Sequence, residues 1–247
     1  MRHENLRRRA RRGFTLVEMA VVVAIVAALA ALAYSSLSHE KPRADLASAT
    51  VELASLIHQA RQSALASGDN VAVLVYPNYV NPGVNSTGYF IVYQDACFDF
   101  FTGGATCGVS YASYAPATPA AGGNGTYQSL VLDTMTLPYG IVVGPAAGMG
   151  AGAALVAPLA AVQVNTYCSF CGTTGGAVQF SSQGQASFYR LDGSTVTGPL
   201  TPNTNPGINV AASLSLGYDP TIHADMTGQR TLVIFTSSGA VQTINGG

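Results

Sequence analysis

Few residues of this 247-residue chain have the types and spacing that chemistry needs. The most reactive are four cysteines, Cys97, Cys107, Cys168 and Cys171, of which the last two form a Cys-x-x-Cys pair. That pair suits redox exchange or half of a zinc site. A zinc site needs further ligands at motif spacing, and no histidine stands beside Cys97 or Cys107. An even cysteine count in an oxidising compartment favours disulfides, and local pairing, Cys97 with Cys107 and Cys168 with Cys171, is the simplest of three connectivities.

No catalytic or cofactor motif is found in the rest of the sequence. The acids are too sparse to form a carboxylate pair for acid-base work. Residues 148–153 imitate a dinucleotide-binding glycine motif but lack the acidic residue that would hold a ribose. Four scattered histidines have neither ligand spacing nor a triad partner: His3, His39, His58 and His223. The sequence therefore predicts no enzyme, no cofactor and no metal.

The charges divide the chain into two parts with opposite signs. Residues 1–13 hold six arginines and one glutamate, a net charge of +5, whereas residues 14–247 hold five basic and eleven acidic residues, a net charge of −6. Arginines beside a membrane span stay on the cytoplasmic side. The basic leader therefore predicts a cytoplasmic N-terminus and a C-terminal domain in the periplasm.

Residues 14–34 are apolar except for Glu18, and about 20 such residues can span a bilayer as a helix. An ordinary secretory signal peptide would be cut at the small residues before Tyr34. A twin-arginine export signal would use Arg11 and Arg12. Neither needs Glu18, and an acid at this depth costs a few kcal/mol and usually marks a function. This acid therefore favours a third interpretation.

Gly13, then Phe14-Thr15-Leu16-Val17-Glu18, then the apolar run resembles the type IV prepilin signal. The resemblance implies that a prepilin peptidase cuts after Gly13 and N-methylates Phe14. It implies an inner-membrane protein with one span, held first in lipid and then built by a membrane assembly platform into a filament of pilins or pseudopilins. In that filament the Phe14 amine of one subunit and Glu18 of another would neutralise each other away from water.

The segments after the span predict an α+β, pilin-like fold with a long N-terminal helix. The first half of this helix is expected to be transmembrane, and its second half, residues 35–68, is expected to pack on an antiparallel sheet. Pro42 should kink or interrupt this helix, and Gly68 should end it. Turns are expected at Gln183-Gly184 and Ser238-Gly239. The buried helix face is expected to hold Leu46, Thr50, Leu53, Ile57, Ala60 and Ala64. Strands are expected at 71–76, 89–93, 130–133, 141–143, 177–181, 186–191, 208–216, 231–235 and 241–244.

The segments 53–77, 178–193 and 230–244 are similar to the GspH/FimT group of H-type pseudopilins and minor pilins. Residues 69–247 would then form a β-rich periplasmic domain, with low-complexity mobile surface loops near 112–126 and 144–161. A type IV pilus and a type II secretion filament both fit. An exported or anchored periplasmic binding protein is the alternative. A DNA-uptake role is disfavoured, because Arg190 and Arg230 are the only basic residues beyond the helix.

Overall fold

A computed structural model of the chain describes residues 15–80, 86–118, 122–123, 126, 128–144, 167–200 and 211–246, without the side chains of 33–39 and 245. The chain divides into two compact units, Met1–Lys41 and Pro42–Gly247. One helix, α1 (Leu16–Ser67), has residues in both units. The described strands are β1 (Asn70–Val80), β2 (Thr87–Asp95), β3 (Gly122–Gly123), β4 (Gln128–Thr136), β5 (Ile141–Val143), β6 (Gly175–Phe180), β7 (Ala186–Asp192), β8 (Thr195–Thr197), β9 (Ala211–Tyr218), β10 (Gln229–Phe235) and β11 (Val241–Gly246).

In the first unit, residues 16–32 of α1 are apolar except for Glu18. Its large side chains are exposed all round the helix, from Leu16 at 85 % to Leu32 at 69 %. The sequence predicts a membrane span over residues 14–34. In the part of the chain that the structure describes, no helix combines the length and the apolar character needed to cross a membrane.

In the second unit, α1 buries one face, as its spacing of three and four residues predicts. All six residues expected on that face are buried. The one polar member, Thr50, donates its hydroxyl hydrogen bond to the Leu46 carbonyl at 2.7 Å, so it brings no unpaired group into the core. The helix ends at Gly68, whose φ of +80° suits glycine and whose N–H donates to the Ala64 carbonyl at 3.1 Å.

The expected interruption at Pro42 does not occur, because the helix runs through it. A proline removes one backbone N–H, and in a helix of 52 residues the loss of one bond is small beside the bonds on either side. Pro42 is also buried, so its ring contributes apolar contact in the second unit. The boundary between the two compact units nevertheless falls in the sequence between Lys41 and Pro42.

Two antiparallel sheets follow the helix. The larger has the strand order β3-β4-β2-β1-β6-β7-β8, and the smaller has the order β11-β10-β9-β5. β1 lies at the middle of the larger sheet, where Val73 stands opposite Val92 of β2 and Val178 of β6. The predicted α+β class is therefore confirmed, with the helix before the sheets.

A single buried cluster joins the helix face to one face of each sheet. It contains Leu53 and Ile57 from α1, Val73 from β1, and Leu214 and Leu232 from β9 and β10. β1 has no polar alternation, since every residue from 71 to 77 is buried. Alternate side chains of a strand point to opposite faces, so the other face of β1 must also be covered.

A second buried cluster covers that other face and consists mainly of aromatic rings. We call it the aromatic cluster; its members are Tyr76, Tyr93, Phe100, Tyr111 and Tyr114, with Phe101 and Tyr189 packed against them. Phe100 and Phe101 come from the segment after β2, and Tyr111 begins a short 3₁₀ turn, Tyr111–Ser113. The burial of Tyr114 is a correction to the surface loop expected near 112–126.

All nine predicted strands occur. β3 and β8, of two and three residues, were not predicted, because neither holds a run of apolar residues like the Ile-Val-Val of the equally short β5. Both predicted turns occur, with Gly184 at φ +75° and Gly239 at φ +60°. Parts of three predicted segments lie outside the described residues: residues 208–210 of the seventh predicted strand, residues 119–121 and 124–125 of the first predicted loop, and residues 145–161 of the second, which include the glycine-rich residues 148–153.

Candidate assembly site and its supporting domain

The predicted assembly residues lie at the N-terminal end of α1. Gly13 and Phe14 lie outside the described residues. Thr15 is described, and its backbone N–H and hydroxyl donate hydrogen bonds to Glu18 Oε2 at 2.8 and 2.9 Å. The Glu18 N–H in turn donates to the Thr15 hydroxyl at 3.2 Å. These reciprocal bonds form a capping box, which fixes where the helix begins.

Glu18 thus has a structural partner within its own chain. Both bonds from Thr15 reach one carboxylate oxygen, Oε2, and among the described residues no bond is made to Oε1. A carboxylate accepts at both oxygens, so Glu18 can keep the cap and still accept from a cation of another subunit. The carboxylate is exposed in the isolated chain, as an intersubunit group must be.

The apolar residues that follow Glu18 have no cover in the described part of the chain. Met19, Val22 and Val23 are all more than half exposed. A helix that is apolar on every side is stable when it is surrounded by lipid or by other helices. The surface of this segment therefore calls for an apolar environment outside the chain.

The cysteines form the two local pairs that the sequence offered as the simplest arrangement. Cys97 is joined to Cys107, and Cys168 to Cys171. Asp99 organises the first loop, because its carbonyl accepts the Gly104 N–H at 2.8 Å and its Oδ2 accepts the Thr106 N–H. This loop supplies Phe100 and Phe101 to the aromatic cluster.

The second disulfide holds a segment against the edge of the smaller sheet. The Ser169 N–H donates to the Ser213 carbonyl at 2.9 Å, and the Ser213 N–H donates to Ser169 Oγ at the same distance. Cys168 forms a β-bridge with Leu214 of β9. The Cys-x-x-Cys pair is thus placed in a structural segment, with Phe170 buried inside it.

One group of side chains among the described residues has ligand atoms close enough together to hold a metal ion. Cys97, Asp99 and Cys107 have ligand atoms within 4.8 Å of one another. Both thiols are oxidised in the disulfide and are unavailable as thiolate ligands. Of the histidines, the His223 ring meets Tyr218 edge to face, His58 is exposed, and His3 and the His39 side chain lie outside the description.

The aromatic cluster buries tyrosine hydroxyls as well as rings. The hydroxyls of Tyr76, Tyr111 and Tyr114 have no hydrogen-bond partner among the described residues. Burial raises the pKa of each of these tyrosines well above its usual value. Burial also raises the pKa of Asp95, whose Oδ2 accepts the Phe100 N–H at 3.3 Å. The sequence analysis missed this cluster, although four of its aromatic residues follow β2 closely in the sequence: Phe100, Phe101, Tyr111 and Tyr114.

Comparison with known proteins supports one part of the chain. The prokaryotic N-terminal methylation motif matches residues 8–34, which include Gly13, Phe14 and Glu18. No curated protein matches the chain, and no solved structure does. Its α+β domain follows a long N-terminal helix, as in the pilin-like fold. The motif at residues 8–34 and this architecture support a type IV pilin-like protein with a prepilin-type N-terminus.

Proposed function

We propose that the protein is a structural, non-enzymatic subunit, a minor pilin or pseudopilin, of a type IV pilus or a type II secretion filament. The observation that carries the proposal is the methylation motif matched over residues 8–34. Prepilin peptidase cuts after Gly13 and methylates Phe14. The late hairpins and the helix-to-strand junction favour the GspH/FimT group within this class.

Before assembly the protein is held in the inner membrane, with its arginine-rich leader in the cytoplasm and its C-terminal domain in the periplasm. The exposed apolar surface of α1 supports this proposal, because lipid covers it first and other subunits cover it later. Moving from lipid to a helix bundle keeps that surface away from water throughout. Assembly by one repeated head-to-tail contact gives an open helical filament.

Glu18 sets the register of each incoming subunit. The Phe14 amine created by cleavage is a cation in an apolar bundle, and an unpaired charge there is costly. The exposed Glu18 carboxylate of a neighbouring subunit neutralises it through the oxygen that Thr15 leaves unused. The same carboxylate therefore caps the helix of its own subunit and pairs with the Phe14 amine of another subunit.

DNA is not the proposed partner. The second unit, residues 42–247, holds four arginines and nine acids, so its field repels phosphates. Arg61 is occupied in packing, since its Nε donates to the Gly184 carbonyl at 3.4 Å. The polar domain surface instead suits contacts with other proteins.

Mass spectrometry of the mature N-terminus tests the proposal. The protein is purified from cells that contain a prepilin peptidase and from matched cells that lack it. We expect an N-methylated Phe14 in the first cells and an uncut Met1 in the second. An N-terminus at Tyr34 would identify an ordinary exported protein, and an uncut chain in both cells would identify a permanent membrane anchor.

A further inference from the structure

The smaller sheet ends in an open edge at β11. In the strand order β11-β10-β9-β5, the described strands give β11 a partner on one side only. Gln242 and Thr243 are exposed, and Val241 and Ile244 are half-buried, so this edge can be approached from outside. An open edge presents unpaired backbone N–H and C=O groups to solvent, and proteins normally protect it against pairing with another chain.

The other outer strands of the two described sheets carry such protection. β3, β5 and β8 are only two or three residues long. β4 extends past β3, but its register with β2 shifts between Val131 and Asp133, and Asp133 is an exposed charge. β11 has none of these features, because its six residues pair with β10 in unbroken register and include neither a charge nor a proline. Such a strand is suited to pairing with another chain.

The hairpin of β10 and β11 shows which backbone groups of β11 face the open side. The Phe235 N–H donates to the carbonyl of Ala240, the residue opposite it, at 2.9 Å. Hydrogen-bonded and non-hydrogen-bonded pairs alternate along an antiparallel ladder. Every second residue after Ala240 therefore directs its N–H and C=O groups away from β10: Val241, Thr243 and Asn245.

The other side of β10 gives the same alternation. The Ser169 N–H donates to the Ser213 carbonyl, so the backbone groups of Ser213 point away from β10. Those of its neighbour Leu214 then point toward β10, where Leu214 stands opposite Leu232. Because Leu232 bonds on the β9 side, Thr243, which stands opposite Leu232 on β11, makes no backbone bond to β10.

The outward groups of β11 are self-complementary about Thr243. When a second copy of the strand runs antiparallel with Thr243 opposite Thr243, Val241 of each copy stands opposite Asn245 of the other. These are the outward-facing residues, so each of the three pairs can exchange two hydrogen bonds. Two threonines directly opposite form a favourable cross-strand pair, and no like charges meet because the strand holds none.

We propose that β11 pairs antiparallel with β11 of a second copy of this chain, with Thr243 on the two-fold axis. The pairing joins the two smaller sheets into one continuous sheet. The contact is isologous, so it closes after two chains, unlike the repeated head-to-tail contact of a filament. It uses neither Phe14 nor Glu18, and it therefore does not rest on the proposed function.

Cysteine trapping in the detergent-solubilised full chain tests this register. Thr243→Cys places the two new thiols on residues whose Cα atoms are about 5.5 Å apart, within the range of a disulfide. Gln242→Cys is the matched control, because its two copies are diagonal neighbours about 7–8 Å apart, which a disulfide does not bridge. All four native cysteines are in disulfides, so each variant has one free thiol.

Under mild oxidation we expect Thr243→Cys to give about tenfold more linked dimer than Gln242→Cys on a non-reducing gel. Association through the apolar part of α1 does not favour residue 243 over residue 242, so it leaves this comparison unchanged.

A proline on the open side tests the backbone bonds. Thr243→Pro removes one outward N–H from each copy, and the loss of two hydrogen bonds weakens the dimer about five- to hundredfold in sedimentation. The urea midpoint of the dissociated chain is retained, because an edge strand tolerates a proline whose N–H faces solvent. Gln242→Pro is the contrasting variant, since it removes an N–H that faces β10 and should lower that midpoint.

A charge on the axis tests the pairing without a change of the backbone. Thr243→Lys places two like charges opposite each other and should weaken the dimer. Thr197→Lys, at an exposed threonine of β8, controls for the added charge and should leave the dimer unchanged.

Three results would overturn the proposal. The first is a Gln242→Cys chain that links as readily as Thr243→Cys, or a Thr243→Cys chain that does not link. The second is an equal dimer dissociation constant for Thr243→Lys and Thr197→Lys. The third is a ladder of higher oligomers in place of a dimer, which would identify unspecific edge aggregation.

Discussion

Glu18 Oε2 accepts two hydrogen bonds from Thr15, one from the backbone N–H at 2.8 Å and one from the hydroxyl at 2.9 Å. Glu18 is therefore hydrogen-bonded to the residue that caps its own helix, and this bond does not depend on another subunit. A carboxylate held by a cap has a fixed direction, and a fixed direction lowers the entropic cost of receiving a partner. The capping box and the proposed intersubunit pair thus need the same residue in the same place.

Replacement of Glu18 should block assembly and leave membrane insertion intact. Under the proposed pairing, Glu18→Ala removes the partner of a buried amine, which costs about 3–5 kcal/mol and corresponds to at least a hundredfold loss of incorporation. Glu18→Gln keeps the shape and can still cap the helix, but it carries no charge. We expect it to lose nearly as much. Incorporation is measured by immunoblotting of sheared filaments against the membrane fraction.

A glutamate in the leader gives the matched control for this experiment. Glu4→Ala also removes one acid, but the leader is cut away before assembly, so incorporation should equal that of the unaltered chain. Normal incorporation of Glu18→Gln would contradict the charge pairing and would leave only the helix cap as the role of this residue.

A methyl group at Gly239 should strongly destabilise the second unit. Gly239 has φ +60°, and a Cβ there would lie 2.3 Å from the Gly184 carbonyl oxygen and 3.1 Å from Arg61 Cδ. Gly239→Ala therefore adds a backbone clash to the cost of a left-handed residue, about 3 kcal/mol in all. Gly193→Ala is the control, because Gly193 has φ +62° and open space around it.

Urea unfolding of the two glycine variants measures this difference. Gly193→Ala should cost only about 1 kcal/mol, the strain of the left-handed conformation alone. Equal losses of unfolding free energy in the two variants would show that the contact of the added methyl group with Gly184 and Arg61 has no cost.

Spacing and apolar composition predicted the regular elements of this fold. The helix face that includes Leu53 and Ile57 and the nine strands follow from spacing, because a regular element repeats its contacts. The cover over the outer face of β1 could not be found in this way. Phe100, Tyr111 and Tyr114 lie in irregular chain, whose position depends on the Cys97–Cys107 link and on the Asp99 hydrogen bonds.

The candidate assembly site could likewise be predicted only in part. The identity and spacing of Gly13, Phe14 and Glu18 were readable, because a protease recognises a linear motif. The bond from Thr15 to Glu18 follows the Thr-x-x-Glu capping pattern and was readable too, but it was missed.

Removal of the disulfide that closes the longer loop should cost more stability, although the cost grows only with the logarithm of loop length. Cys97–Cys107 spans ten positions and Cys168–Cys171 spans three. Chain entropy then gives about 3 kcal/mol for the first and about 2 kcal/mol for the second. The double alanine variants of each pair are compared by urea unfolding, and the first should be the less stable. A reversed order would show that the segment paired with β9 depends more on its disulfide than the aromatic cluster does.

Alkaline pH should unfold the second unit through its buried tyrosines. Burial raises the pKa of Tyr76, Tyr111 and Tyr114 above the unfolded value of about 10. Above that pH the unfolded chain loses phenolic protons that the folded chain keeps. The contribution of these tyrosines to the unfolding free energy is therefore constant below about pH 10 and falls as the pH rises further. Each such tyrosine contributes up to about 1.4 kcal/mol per pH unit.

Urea midpoints measured from neutral to alkaline pH test this dependence. All four cysteines are in disulfides, so no free thiol is present to start disulfide exchange in this range. Tyr111→Phe should make the alkaline loss less steep, because phenylalanine releases no proton in either state. Tyr139→Phe, at a ring that is 58 % exposed, controls for the removal of a tyrosine and should leave the slope unchanged. If Tyr111→Phe and Tyr139→Phe gave the same slope, the alkaline transition would have to arise outside the aromatic cluster.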